Sequence, residues 1–183
     1  MDELSDDIVA NQFSVLYEYS RSFAYFRTIS ETLDQINDAN KQYWIHSHNI
    51  FLNDGILKWC KVFGADSSKI HWKKASPSIR FHSLIRERIL ANSGFTENEW
   101  KDYHKEMCDF RNTYSAHRDI EDFKPVPMMD KSLDVASSFI DFIVDNNQWA
   151  GHPQHLKETY SQYVLEIQSV LGSFIEKNNS NSL

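Results

Sequence analysis

Trp44-Ile-His-Ser-His-Asn-Ile-Phe-Leu-Asn-Asp-Gly-Ile-Leu-Lys-Trp-Cys-Lys-Val-Phe-Gly64 is the stretch on which the fold class turns. Two readings compete for it. Asn53-Asp-Gly55 is a turn signal, and a turn there would cut the stretch into two short arms. Against it, Trp44, His48, Leu52, Ile56, Trp59 and Phe63 recur at steps of three and four and keep their phase across those residues. A stripe that survives a turn signal favours one unbroken helix. It predicts that Gly55 allows close packing of a neighbour and that Gly64 is the stop.

The same period extends in both directions. Upstream, Phe13, Leu16, Tyr17, Ser20, Phe23 and Ala24 share a helical face that Phe26, Ile29, Leu33 and Ile36 continue with a small phase slip. Asn37-Asp-Ala-Asn40 is the expected interruption, because these side chains compete for backbone hydrogen bonds. Downstream, residues 65–75 read as a loop. Ser76-Pro77 then signals a helix start, with an apolar face of Ile79, His82, Ile85 and Ile89 and a stop at Gly94. Thr96-Glu-Asn-Glu99 is a capping box that opens a helix lined by Trp100, His104, Met107, Cys108 and Phe110. Pro125 and Pro127 enforce extended geometry. A helix from about Asp130 is expected to bury Leu133, Ala136, Phe139, Ile140 and Ile143. A last one carries Leu156, Tyr160, Tyr163, Ile167, Val170, Leu171 and Phe174. No strand alternation or internal repeat intervenes. The expected fold is all-α, a bundle of about six helices with a long loop around 64–76, forming one domain over 1–176 with a frayed polar tail over 177–183.

The chain has 183 residues, 41% hydrophobic and 25% charged, with a net charge of −7. An acidic protein lacks the global basic footprint of most nucleic-acid binders, so any contact with RNA would need a local cationic groove. Cys60 and Cys108 make neither a disulfide framework nor a metal site by number or spacing, and Cys60 reads as a small core hydrophobe. The acidic amino terminus precedes no long apolar run, so neither a secretory signal nor a membrane span is expected, and a cytoplasmic, reducing location follows.

The densest chemistry is Phe110-Arg-Asn-Thr-Tyr-Ser-Ala-His-Arg-Asp119. Arg111 offers a planar fork of donors suited to phosphate, and His117 can move a proton near neutral pH. On one regular helix, six residues at about 100° leave the two side chains about 120° apart with roughly 9 Å of rise, so they would not meet. Either the helix distorts or ends before His117, or another subunit completes the site.

Arg111-Asn112, a four-residue gap and His117 resemble the signature of the HEPN superfamily. The fuller Arg111-Asn-x-x-x-Ala-His-Arg-Asp119, followed by Val126-Pro, resembles its AbiU-like branch, associated with bacterial phage defence. Trp59-Cys-Lys-Val-Phe-Gly64 and His71-Trp-Lys-Lys74 are similar to the same branch, and the resemblance spans roughly residues 40–146. It implies a HEPN-like bundle, a homodimer with two motifs facing across a cleft, and metal-independent endoribonuclease activity in phage defence or a toxin–antitoxin pair. His117 would act as base on a ribose 2′-hydroxyl or as acid toward the leaving oxygen. Arg111 would hold the scissile phosphate, and Asn112 would orient the pair or contact RNA. No cofactor or metal is implied, and an antitoxin protein is a possible partner. Some members carry a tyrosine two residues after the histidine; here that position is Asp119, so the resemblance does not extend to modification there. The superfamily also has inactive members, which leaves a non-catalytic module binding RNA or a protein as the alternative. A salt-bridge network around Arg111, His117 and Asp119 that fixes a helix end is the structural alternative.

Other candidates are weaker. Trp72 with Lys73 and Lys74 could stack a base and hold phosphate, as could Arg118, although a tryptophan anchoring a loop is the commoner arrangement. His46 and His48 would point about 200° apart on a helix, which disfavours a shared metal. His152 and His155 flank Pro153 without acidic neighbours in sequence. Ser83 and Ser115 lack the glycine-flanked elbow of a nucleophilic serine.

Overall fold

The computed structural model describes residues 4–116, 125–146 and 154–180, the side chains of 114–116 and 176–180 excepted. Among them are six α-helices and no strand: α1 Asp6–Thr32, α2 Asp38–Phe63, α3 Ile79–Ser93, α4 Glu97–Phe110, α5 Met129–Asp145 and α6 Leu156–Ser180. The expected all-α bundle is present. Short 3-10 turns occupy Leu33–Gln35 and Trp72–Ala75, and α4 runs directly into a π-helical segment, Arg111–Ala116.

The deciding stretch is one helix. Asn37 caps α2 by accepting from the Asn40 backbone N–H at 3.2 Å, at the expected interruption. Asn53-Asp-Gly55 stays helical because Asp54 is engaged sideways: its carboxylate takes the Ser22 hydroxyl of α1 at 2.5 Å and the Lys58 ammonium at 2.6 Å. Gly55 does face α1, but a Cβ there would lie 3.8 Å from Ser22 Cβ, an ordinary contact. Close packing permits glycine at this position without requiring it. At Gly64 the reverse holds, since a Cβ would sit 2.3 Å from the Cys60 carbonyl oxygen.

Helix α1 packs along α2 on one side and α6 on the other, while α3 packs on α5. The main core gathers Phe13, Leu16, Tyr19 and Phe23 of α1 around Ile56, Trp59 and Phe63 of α2, closed by Phe81, Met107 and Phe139. A smaller cluster of Ile29, Ile36, Trp44, Ile167 and Leu171 fills the other end of α1. The expected α5 face (Leu133, Ala136, Phe139, Ile140, Ile143) is buried throughout.

Four boundaries or faces differ from expectation. Helix α3 starts at Ile79, two residues after Pro77, because the Ser78 hydroxyl accepts from the Phe81 N–H at 3.2 Å and makes Ser78 the cap. That start turns Phe81 inward and leaves Ile79 81% exposed. Val170 is likewise 52% exposed, because Ile167 and Leu171 take the buried side of α6. The loop after α2 is shorter than 64–76, since its last part winds into the Trp72–Ala75 turn over a buried Trp72. Finally, α6 runs on through Ser180, into the stretch 177–183 expected as a polar tail, with no glycine or proline after Gly172 to break it.

Candidate functional site

The site is built on α4. Its capping box forms as expected: the Thr96 hydroxyl accepts from the Glu99 N–H at 3.3 Å, and Glu99 accepts from the Thr96 N–H at 2.7 Å. This fixes the helix phase and hence which residues share a face. Trp100, His104, Cys108 and Arg111 follow one another at steps of four, four and three, so they form a line down one side. Asp102, Lys105, Glu106 and Asp109 line a separate groove of about 370 Å³ with Phe110 and Pro125. One helix thus separates a cationic, aromatic line from an acidic groove that repels phosphate.

At its start the line enters a groove of about 340 Å³, walled by α2, the 64–76 segment, α3 and α4. Phe63, His71, Trp72, Trp100 and His104 supply rings, and Lys73, Arg86 and Lys101 supply charge. Arg86 lies over the Trp100 ring at 5.2 Å and is held there by Glu97 at 2.6 Å. Lys73 pairs with Asp66 at 2.9 Å. That hydrogen bond holds the Asp66 carboxyl below its usual range. Lys101 and Lys74 are exposed. Trp72 is 5% exposed and packs in the core, so in this conformation it anchors its turn and presents no free face for a base.

His71 and His104 differ in protonation chemistry. His71 is buried, its Nδ1 accepts from the Lys73 N–H at 3.4 Å, and its Nε2 lies 3.2 Å from Asp66. The neutral ring with hydrogen on Nε2 satisfies both contacts. Burial drives its pKa down to about 4, against the opposing charge of Asp66. His104 donates from Nε2 to the Phe63 carbonyl at 2.7 Å, with the Gly64 carbonyl at 3.2 Å and Cys108 Sγ at 3.9 Å. The bond to Cys108 and these carbonyls raise its pKa, against partial burial.

The line ends at the π-helical segment. A π-helix is rare and often marks a functional site, and here the distortion begins at Arg111 itself. The first of the sequence-based alternatives, a helix that distorts before His117, is therefore observed. Arg111 donates from Nε at 3.1 Å and Nη2 at 2.9 Å to the Asn112 side-chain oxygen. Among the described residues no carboxylate stands within ion-pair distance of Arg111. His117, Arg118 and Asp119 lie outside the described residues, as does His152.

Among the described residues no group of three or more His, Cys, Asp or Glu side chains is arranged to hold a metal ion. His46 is exposed, while His48 is half-buried against Phe26 at 4.5 Å, so the two diverge as their spacing requires. His155 does acquire acidic neighbours that the sequence around it lacks: Asp141 at 3.1 Å and Asp145 at 3.7 Å, both from α5. No described helix is long and apolar enough to cross a membrane.

Sequence reasoning missed Arg86 and Lys101 as groove residues and treated His104 and Cys108 only as an apolar face. The signal was present in the spacing Trp100, His104, Cys108, Arg111, which links the groove to the motif. Comparison with protein-family models, with curated proteins and with solved structures finds no match to this chain.

Proposed function

We propose that this protein is a metal-independent endoribonuclease that takes single-stranded RNA along the α4 line, with the scissile phosphate at Arg111 and Asn112. The observation that carries this reading is the Arg111 guanidinium, oriented by Asn112 at the start of a π-helical turn. Such a fork retains donors for phosphate oxygens. The resemblance of Arg111-Asn112 and His117 to the HEPN signature supports the same assignment. A defence or toxin–antitoxin setting, with its antitoxin, and a homodimer rest on that resemblance.

The ribose 2′-hydroxyl is the nucleophile in this reading. His117 takes its proton or protonates the departing 5′ oxygen, and Arg111 stabilises charge growing on the phosphorus oxygens. The products carry 2′,3′-cyclic phosphate and 5′-hydroxyl ends, and DNA is inert because it lacks the nucleophile. In a homodimer the second copy supplies a second histidine and doubles the local positive charge on an acidic chain.

The test is cleavage of a mixed RNA pool in excess chelator by wild type, Arg111→Ala and His117→Ala. Cyclic phosphate ends from wild type and a loss of about a hundredfold or more in each variant are expected. Equal cutting by all three proteins overturns the assignment. A second reading, RNA binding without cutting, is favoured by the groove at Arg86 and Lys101, whose charged and aromatic side chains do not include the motif residues. It predicts RNA affinity in wild type, no products, and no effect of His117→Ala.

A further inference from the structure

Four of the rings in the groove at the start of the α4 line are covered: Phe63 is 1% exposed, His71 2%, Trp72 5% and Trp100 4%. None of them offers a nucleobase a free face. Over Trp100 lies the guanidinium of Arg86, from α3, at 5.2 Å from the ring centre. Glu97, in the first turn of α4, accepts from Arg86 Nη2 at 2.6 Å and from Nε at 3.4 Å, one bond to each carboxylate oxygen. Two bonds along one edge fix the plane of the fork. That edge is spent on Glu97, so Arg86 does not have it to give to a phosphate. The side chain is nevertheless 26% exposed and lines the groove, with the indole on one side of its plane. Lys73 is engaged by Asp66, whereas Lys101 is exposed on the same groove.

We propose that Arg86 and Lys101 make a subsite for one nucleotide, in which the base stacks on the open face of the Arg86 guanidinium and the phosphate meets the Lys101 ammonium. The subsite rests on the reading of this chain as an RNA-cutting protein and adds a contact away from the cut. Guanidinium planes are stacking partners for unstacked RNA bases. The order Trp100, Arg86, base places a π face on each side of one cation. Because Trp100 and Glu97 hold the plane before RNA arrives, little freedom is lost on binding. Every base has a π face, so the subsite grips the strand without reading its sequence. At the rise of a regular helix Arg111 stands about 16 Å beyond Trp100 along α4, so the stacked base and the scissile phosphate belong to different nucleotides.

The probe is a short single-stranded 2′-O-methyl oligoribonucleotide, whose blocked nucleophile prevents cutting, with one 2-aminopurine base that dims when it stacks. Wild type is expected to bind and quench it. Arg86→Lys keeps the charge and a partner for Glu97 but loses the plane; it is expected to lose the quench and to bind about tenfold more weakly. Lys101→Ala is expected to keep the quench. A strand of abasic nucleotides, which offers phosphates alone, should bind wild type and Arg86→Lys alike. Circular dichroism checks the fold of each variant. The monophosphate of 2-aminopurine riboside carries the same chemistry as one nucleotide of a strand and is titrated beside it. Tighter quenching of the strand assigns the subsite to bound RNA; tighter quenching of the monophosphate assigns it to a free nucleotide and overturns the link to the strand. Quenching that survives in Arg86→Lys, or an equal loss with the abasic strand, overturns the stacking role and leaves cleavage at Arg111 standing. Wild type that binds no strand overturns the subsite and the RNA reading together.

Discussion

The indole Nε1 of Trp59 donates to the Ser132 carbonyl oxygen at 3.2 Å, pinning the C-terminal part of α2 to α5 inside the main core. The Ser132 hydroxyl also meets the Tyr19 hydroxyl of α1, so three helices are tied at one residue. Trp59→Phe keeps most of the ring and loses this donor, which is expected to cost about 1 kcal/mol beyond the loss of packed volume. Trp59→Ala leaves a cavity and is expected to cost about 3–5 kcal/mol. Urea midpoints for the two variants check the ordering; equal losses would mean that the indole donor dominates over the packed ring.

Two glycines should respond oppositely to alanine. Gly55→Ala replaces a poor helix former where a Cβ meets nothing closer than 3.8 Å. A gain of about 0.5–1 kcal/mol is expected. Gly94 has φ +69°, in the left-handed region at the end of α3. Gly94→Ala is expected to lose about 1–2 kcal/mol. Thermal unfolding of both variants beside wild type reads the two signs directly.

His71 sets an acid limit. Its pKa is about 4 in the fold, against an ordinary histidine value of 6.5. The unfolded chain therefore binds more protons below about pH 6.5, and stability falls from there as pH drops toward about 4. The loss should approach roughly 3 kcal/mol once both values are passed. Asp66 and Glu97, held low by Lys73 and Arg86, act in the same direction, their stabilisation being lost as pH falls below their ordinary values. His104, whose value is raised, gives the opposite slope: its contribution is complete below its unfolded value and fades as pH rises through its folded one. Denaturant midpoints for wild type and His71→Asn at about pH 7 and about pH 4.5 isolate the effect. Parallel declines in the two proteins would assign the acid sensitivity to other groups.

Lys101 should carry part of the electrostatic contact with RNA. It is exposed on the groove side of α4, whereas Lys105 pairs with Asp109 at 2.7 Å on the acidic side. Lys101→Ala is expected to reduce the slope of log affinity against log salt by about 0.7 for single-stranded RNA, and Lys105→Ala to leave it unchanged. A salt titration of fluorescent oligonucleotide binding decides. Identical slopes in all three proteins would remove the groove from the RNA path.

Helix content and the principal faces were legible because burial in a bundle writes a period of three and four into the chain. The stripe from Trp44 to Phe63 outweighed Asn53-Asp-Gly55, and the Thr96–Glu99 box marked the start of α4. At Ser76-Pro77 two serines stood near one proline, and only the direction of a hydroxyl toward Phe81 chose between them. Contacts across helices left no local trace. Nothing near Lys101 announces Arg86, because their meeting depends on how α3 and α4 dock. Sequence could mark Arg111 and Asn112 as a pair through adjacency. It could also foresee a distorted helix, though not that the distortion would start at the arginine.

Helix α1 is enclosed by the second helix and by the sixth. The small cluster at its far end joins Ile29 and Ile36 to Ile167 and Leu171 of α6, a helix synthesised much later than α1. A ribosome therefore releases the first helix long before the surface that covers its distal half exists. Until α6 emerges, Ile29 and Trp44 remain open to water or to a chaperone, and the bundle completes its burial only when α6 returns to α1.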